Sequence, residues 1–217
     1  MTATPALDRF EGLVPNELLD VPGHAFYAGE TAFSGTSPLY LLGLNPGGTG
    51  SETVRQQIQS VRTGPGDYSA FRTHTWKRVS PIDRSVLHML SRLSLDPGVV
   101  PASCLVFQRS TSESELAGLG ITRLATVCWP FHQAVIDNLG VRAVVCFGGT
   151  AGRYARKQLD ADLEVDRFVE TNARGWTSRT HVGVNEIKVV TVSHPSRADW
   201  RNPAADVSPL VARALAL

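Results

Sequence analysis

The feature that most constrains the fold is a set of four short segments rich in aliphatic and β-branched residues, each closed by turn residues: "PLYLLGLN" (38–45), "SCLVFQ" (103–108), "VRAVVCFG" (141–148) and "IKVVTVSH" (187–194). Three of them are apolar almost without interruption. A strand with one wet face alternates, whereas a strand covered on both faces does not, so these runs call for a parallel sheet between two helical layers. Helical patterns fill the intervals. "SVLHMLSRLSL" (85–95) sets Val86, Leu87, Leu90, Leu93 and Leu95 near one stripe and stops at Asp96-Pro97-Gly98. "ATVCWPFHQAVIDNLG" (125–140) ends on a glycine suited to a helix C-cap, and "GTAGRYARKQL" (149–159) follows the third strand directly. "DVSPLVARALAL" closes the chain as a helix with Ser208 as its N-cap and Pro209 in its first turn. The expected fold is a three-layer α/β/α sandwich around a four-stranded parallel sheet, and 217 residues suit one domain spanning 1–217. The stretches 46–81 and 161–185 read as irregular, polar elaborations.

Bulk properties exclude several classes. A formal charge of +1 gives no global electrostatic case for nucleic acid, so any such binding has to be local. Cys104, Cys128 and Cys146 lack the CxxC spacing of zinc or iron–sulfur sites and read as reduced, buried thiols. The start has no basic segment followed by an apolar run, and no stretch approaches about 18 uncharged apolar residues, so the expectation is no membrane and a cytoplasmic location. The GxSxG elbow, the GxxxxGK[ST] phosphate loop and the GxGxxG fingerprint are all missing from the sequence, which leaves an α/β hydrolase or a mononucleotide-binding enzyme without support.

In an open parallel sheet, ligands bind beyond the carboxyl ends of the strands. The first apolar segment ends in "GLNPGG" and the fourth in "VSHPSRADW", which puts two polar loops on one sheet edge. Asn-Pro-Gly alone is ordinary turn chemistry, and a His before a Pro is an ordinary loop residue. Their joint placement on one face shifts the expectation toward a site.

These two motifs, in this order on this scaffold, resemble the signatures of the uracil-DNA glycosylase superfamily, in the Gly-x-Asn-Pro-Gly form of its mismatch-specific and single-strand-selective branches. "CWPFHQAVIDNLGVRAVVCFGG" is similar to the family's helix-then-strand unit before the last motif, and "HPSRADWRNP" to the His-Pro-Ser motif with its downstream Arg-Asn-Pro. The likeness spans roughly residues 36–205.

The resemblance implies an enzyme that flips a damaged base out of DNA and hydrolyses its glycosidic bond without metal or cofactor. It implies Asn45 as the holder of the attacking water and His194 as the donor to the departing base. Gly43, Leu44, Pro46 and Gly47 would shape the pocket, and Tyr68 or Phe71 would stack the base. Uracil-restricted relatives carry a Tyr where this chain has Gly47, so tolerance of a 5-substituted uracil or another deaminated base is expected. Pro195, Ser196, Arg197, Trp200 and Arg201 would meet DNA, with Trp200 as wedge or stacker and Arg197 or Arg201 on phosphate. Arg55, Arg62, Arg72, Lys77, Arg78 and Arg84 would add a local basic patch.

The chain also departs from the family. Relatives place an Asn after the second strand to read the base edge, whereas "LVFQRSTSESEL" offers Gln108, Arg109 or Ser110. Asp199 stands where relatives favour small or apolar residues, and would need Arg197 or Arg201 to neutralise it. No lysine stands in either motif, so no Schiff-base lyase step is expected. The expected function is a monofunctional DNA glycosylase acting as a monomer. The alternative is a catalytically inactive protein of the same fold that binds a nucleobase, nucleotide or modified DNA.

Overall fold

A computed structural model describes residues 6–72 and 80–216. Lys77 and Arg78 of the expected basic patch lie outside the described residues. The four apolar segments form strands β1 (Leu39–Gly43), β2 (Ala102–Cys104), β3 (Ala143–Phe147) and, last in the chain, β6 (Lys188–Val192). β1 pairs in parallel with β2 and β3, and β3 in parallel with β6. Successive side chains of β1 enter opposite cores. Tyr40 and Leu42 face a cluster built with α1 (Ala6–Glu11), α2 (Glu30–Ser34), α3 (Val54–Thr63), α6 (Ile121–Leu139) and α7 (Gly149–Gln158). Leu39 and Leu41 face one built with α4 (Pro81–Arg92) and α8 (Ser208–Ala216). Each of these leucines is at most 1% exposed. Full burial of one such side chain is worth about 1.5–3 kcal/mol, and burial on both faces is why the strands show no alternation. The architecture is a three-layer α/β/α sandwich.

The sheet corrects one expectation. It has six strands in the order β2-β1-β3-β6-β5-β4, not four parallel ones. Residues 163–182, read from sequence as irregular, make a hairpin of β4 (Leu163–Val169) and β5 (Thr177–Val182), both antiparallel to their neighbours. β4 is the sheet edge, and its side chains alternate between exposed and half-buried. Its polar residues Glu164, Asp166 and Arg167 occupy a surface strand rather than a loop, with the pairing shifted between Glu164 and Asp166.

Local signals set the helix ends. α3 opens on a Thr53–Gln56 capping box and α4 on a Ser80–Asp83 capping box with Pro81 in its first turn. α4 therefore starts four residues before the helical pattern read from sequence. α6 ends at Gly140, whose φ of +64° is the left-handed conformation that favours glycine. α8 begins at Ser208 itself. Both the N–H and the hydroxyl of Ser208 donate to Asp206, which takes the capping role expected of Ser208.

The basic patch expected around 52–84 is largely neutralised. Arg55 pairs with Asp20, Arg62 with Asp8 and Glu11, and Arg72 with Asp67 and Asp96. Apart from Asp67, these carboxylates come from outside the segment, so the local charge count missed them. Among the described residues no helix is long and apolar enough to cross a membrane, and no group of three or more His, Cys, Asp and Glu side chains could hold a metal ion.

Candidate functional site

Beyond the carboxyl ends of β1, β3 and β6 lies a cleft of about 1050 Å³, lined by residues from both motif loops, Asn45 and His194 among them. The first loop leaves β1 under tight constraint. A Cβ on Gly43 would come 3.0 Å from Cys104 Sγ, so any side chain at the strand end would have to push the thiol aside. The carbonyls of Gly43 and Leu44 accept the N–H groups of Leu105 and Val106, each at 2.9 Å, extending the ladder past the strand. Gly48 then turns the chain with φ +84°.

Asn45 is held by its nitrogen. Nδ2 donates to the Pro46 carbonyl at 2.8 Å and to Ser110 Oγ at 2.9 Å. A carbonyl oxygen can only accept, which fixes which end of the carboxamide faces Pro46. Ser110 Oγ in turn donates to the Ser112 carbonyl at 2.9 Å, so toward Asn45 it presents a lone pair. With both amide hydrogens committed, Oδ1 is the atom of Asn45 left to accept a hydrogen bond in the cleft. Ser110, considered from sequence as a reader of the base, lines the cleft and also holds the Asn45 carboxamide.

The His194 ring is held from within its own loop. Ser196 places its backbone N–H at 3.2 Å and its hydroxyl at 2.7 Å from His194 Nδ1. Because that N–H can only donate, Nδ1 is an acceptor and the proton of the neutral ring sits on Nε2. Burial first, then the charge of Arg197, depresses the His194 pKa, with Glu113 opposing. The site therefore offers a neutral N–H donor. The ring packs over Gly148, where a Cβ would meet His194 at 3.7 Å and a φ of +97° disfavours any side chain.

Tyr68 and Phe71 both line the cleft. Phe71 belongs to an aromatic wall with Tyr27 and Phe147, each at a centroid distance of 6.4 Å. A Cβ on Gly47 would meet nothing within 4 Å, so the mouth beside Asn45 is open. Arg109 lines the cleft but is committed to the loop: its guanidinium donates to the Gly47 carbonyl and lies 2.8 Å from His24 Nε2. His24 Nε2 is also 3.1 Å from Glu52. A single ring nitrogen cannot accept from Arg109 and donate to Glu52 at once. Burial and then Arg109 lower the His24 pKa, so the neutral ring accepting from Arg109 is the favoured state.

Two expected contacts are corrected. Gln108 does not line the cleft; its backbone bridges to Gly23 in the N-terminal segment. Trp200 is not a wedge. It is 0% exposed, packs against Phe147 at 5.7 Å, and donates its indole N–H to the Ser193 carbonyl at 3.2 Å. Removing such a side chain from a core costs about 3–5 kcal/mol, so it stays inside. Arg201 neutralises Asp199 through a two-point pair at 2.9 and 2.7 Å. Pro195 and Arg201 line a smaller neighbouring pocket, and Ser196 and Arg197 line both.

Sequence reasoning missed His24, Tyr27 and Trp176 in the cleft wall. Tyr27 is placed by backbone bonds to Ala102 and Ala70 and His24 by one to Phe107, and such contacts leave no periodic trace in the sequence. Compared with known proteins, the chain matches no protein-family model, and no curated protein matches it. The class defined by fold and site is thus a three-layer α/β protein with an Asn and a His converging on one cleft at the strand ends.

Proposed function

We propose that the protein is a monofunctional DNA glycosylase that hydrolyses the N-glycosidic bond of a flipped-out uracil, 5-substituted uracil or other deaminated base. The observation that carries this reading is the pair of fixed groups in one cleft: a carboxamide with its oxygen free to hold a water, and a neutral imidazole with an N–H to donate. Glycosidic cleavage needs little more. As the bond to the base lengthens, the sugar gains oxocarbenium character, so a positioned water suffices as nucleophile. Negative charge collects on the leaving base, where the His194 Nε2–H stabilises it as it develops. The wall of Tyr27, Phe71 and Phe147, with Tyr68, supplies faces for the extruded base. The open space at Gly47 supports acceptance of a 5-substituent. DNA is the proposed partner and the monomer the proposed working form.

The test is base release from single- and double-stranded oligonucleotides carrying uracil, hydroxymethyluracil, hypoxanthine, xanthine or a G·T mismatch, with abasic sites revealed by alkali. Asn45→Ala and His194→Ala should each lower the rate by about 10²–10³-fold. Rates unchanged in both variants, or no cleavage of any substrate, would sink the proposal. Tight binding with full recovery of intact bases would favour the non-cutting alternative.

A further inference from the structure

Beside the base cleft, sharing Ser196 and Arg197 with it, lies a second pocket of about 150 Å³. Four arginines from three separate parts of the chain line it: Arg84 from α4, Arg174 from the turn of the β4–β5 hairpin, and Arg197 and Arg201 from the loop after His194. Among the described residues Asp199 is its one acidic lining residue. The excess of guanidinium over carboxylate contrasts with the near-neutral chain and with the 52–72 surface, where the arginines are paired off. Asp199 pairs directly with one of the four, Arg201, through a two-point contact, and its carboxyl is held below the ordinary range first by that hydrogen bond, with Arg84 adding a weaker attraction.

Arg174 is the part of this pocket with the most support. Its guanidinium lies over the Trp176 ring at 4.9 Å, and it donates to the Arg197 carbonyl. Stacking fixes the plane of the fork, and the carbonyl takes one of its five donors. Trp176 lines the base cleft and Arg174 the small pocket, so the stacked pair forms the partition between them. The hairpin that makes the sheet six-stranded thus closes a basic pocket one wall away from the base site.

We propose that this pocket is a phosphate subsite, in which Arg84, Arg174, Arg197 and Arg201 hold a backbone phosphate of the strand whose nucleotide enters the cleft. The ligand class is a phosphodiester within a polynucleotide. Guanidinium forks match phosphate oxygens in planar, two-point geometry. This inference rests on the nucleic-acid reading above and is testable without any chemistry on the base.

The experiment is fluorescence anisotropy of an undamaged, labelled single-stranded DNA 15-mer across a salt series, using the full chain. Deleting one arginine that neutralises a phosphate of a single strand should flatten the slope of log K against log salt by about 0.7. Arg174→Ala and Arg84→Ala should each weaken binding about three- to tenfold and flatten the slope by that amount. Asp199→Asn should tighten binding about twofold or more, a gain that misfolding cannot produce. No binding by the unmutated protein, slopes unchanged in both arginine variants, or displacement of the 15-mer by stoichiometric thymidine monophosphate would overturn the assignment. Failure of the glycosylase reading alone leaves a different signature: intact bases throughout the panel with arginine-dependent binding retained.

Discussion

The two side chains that meet at the cleft, Asn45 and His194, are held in different ways. Asn45 is positioned by groups far away in sequence: Ser110 grips its carboxamide and Arg109 clamps the Gly47 carbonyl. Behind them, His132 in α6 is fully buried, accepting from the Tyr40 hydroxyl at 2.7 Å and donating to the Leu105 carbonyl at 3.2 Å, next to the Gly43 ladder. His194 is positioned by Ser196, two residues on, over a loop anchored by buried Trp200. Distributed support makes the first loop sensitive to changes anywhere in its network. Among the described residues the His194 ring depends on Ser196 alone for its hydrogen bonds, although Ser85, Ser178 and Arg174 pin the backbone of its loop from outside.

The sharpest test of this contrast is Ser110→Ala. Freed from one of its two acceptors, the Asn45 carboxamide can rotate, and kcat should fall about tenfold with KM little changed, while Ser110→Thr should restore most of the activity. A rise in KM alone would mean that Ser110 reads the base after all. Acid should act next, and on the Asn45 side. Burial holds the His132 pKa near about 3 against 6.5 for a free imidazole, so the unfolded chain binds the proton first. This contribution to stability is full above pH 6.5 and is lost as pH falls toward 3, the loss reaching about 2 kcal/mol at pH 5. Denaturant melts at pH 8 and pH 5 measure this, and His132→Gln should shrink the difference.

A smaller effect separates adjacent glycines of the first loop. Gly48→Ala forces a side chain onto φ +84° and should cost about 1–3 kcal/mol, whereas Gly47→Ala faces open space and should stay within about 0.5 kcal/mol in thermal melts. The subtlest test lies in the second loop. Removing the cationic neighbour in Arg197→Ala should raise the His194 pKa, moving the acid limb of kcat/KM to higher pH, while Ser110→Ala leaves that limb in place. Movement in both variants would show that the loops are coupled.

What the sequence made legible follows the same division. β1, β3 and β6 could be read because burial on both faces writes an unbroken apolar run, and Asn45 and His194 because turn residues mark strand ends. β4 was illegible because an edge strand carries Glu164, Asp166 and Arg167 on a half-wet surface, which reads as loop. Trp200 misled because an aromatic in a polar loop has the same letters whether it points to solvent or fills the space against Phe147. Ser110, His24 and Tyr27 act through contacts between segments distant in sequence, and pairings of that kind belong to the packed chain.

If the protein is the proposed glycosylase, the committed carboxamide of Asn45 also bears on how its rate responds to temperature. Both of its donors are engaged by protein groups, so little motion of this group remains to be frozen as the barrier is approached. Ordering is then completed during folding, and the activation entropy of the chemical step should lie near zero, leaving an Eyring plot dominated by its enthalpy.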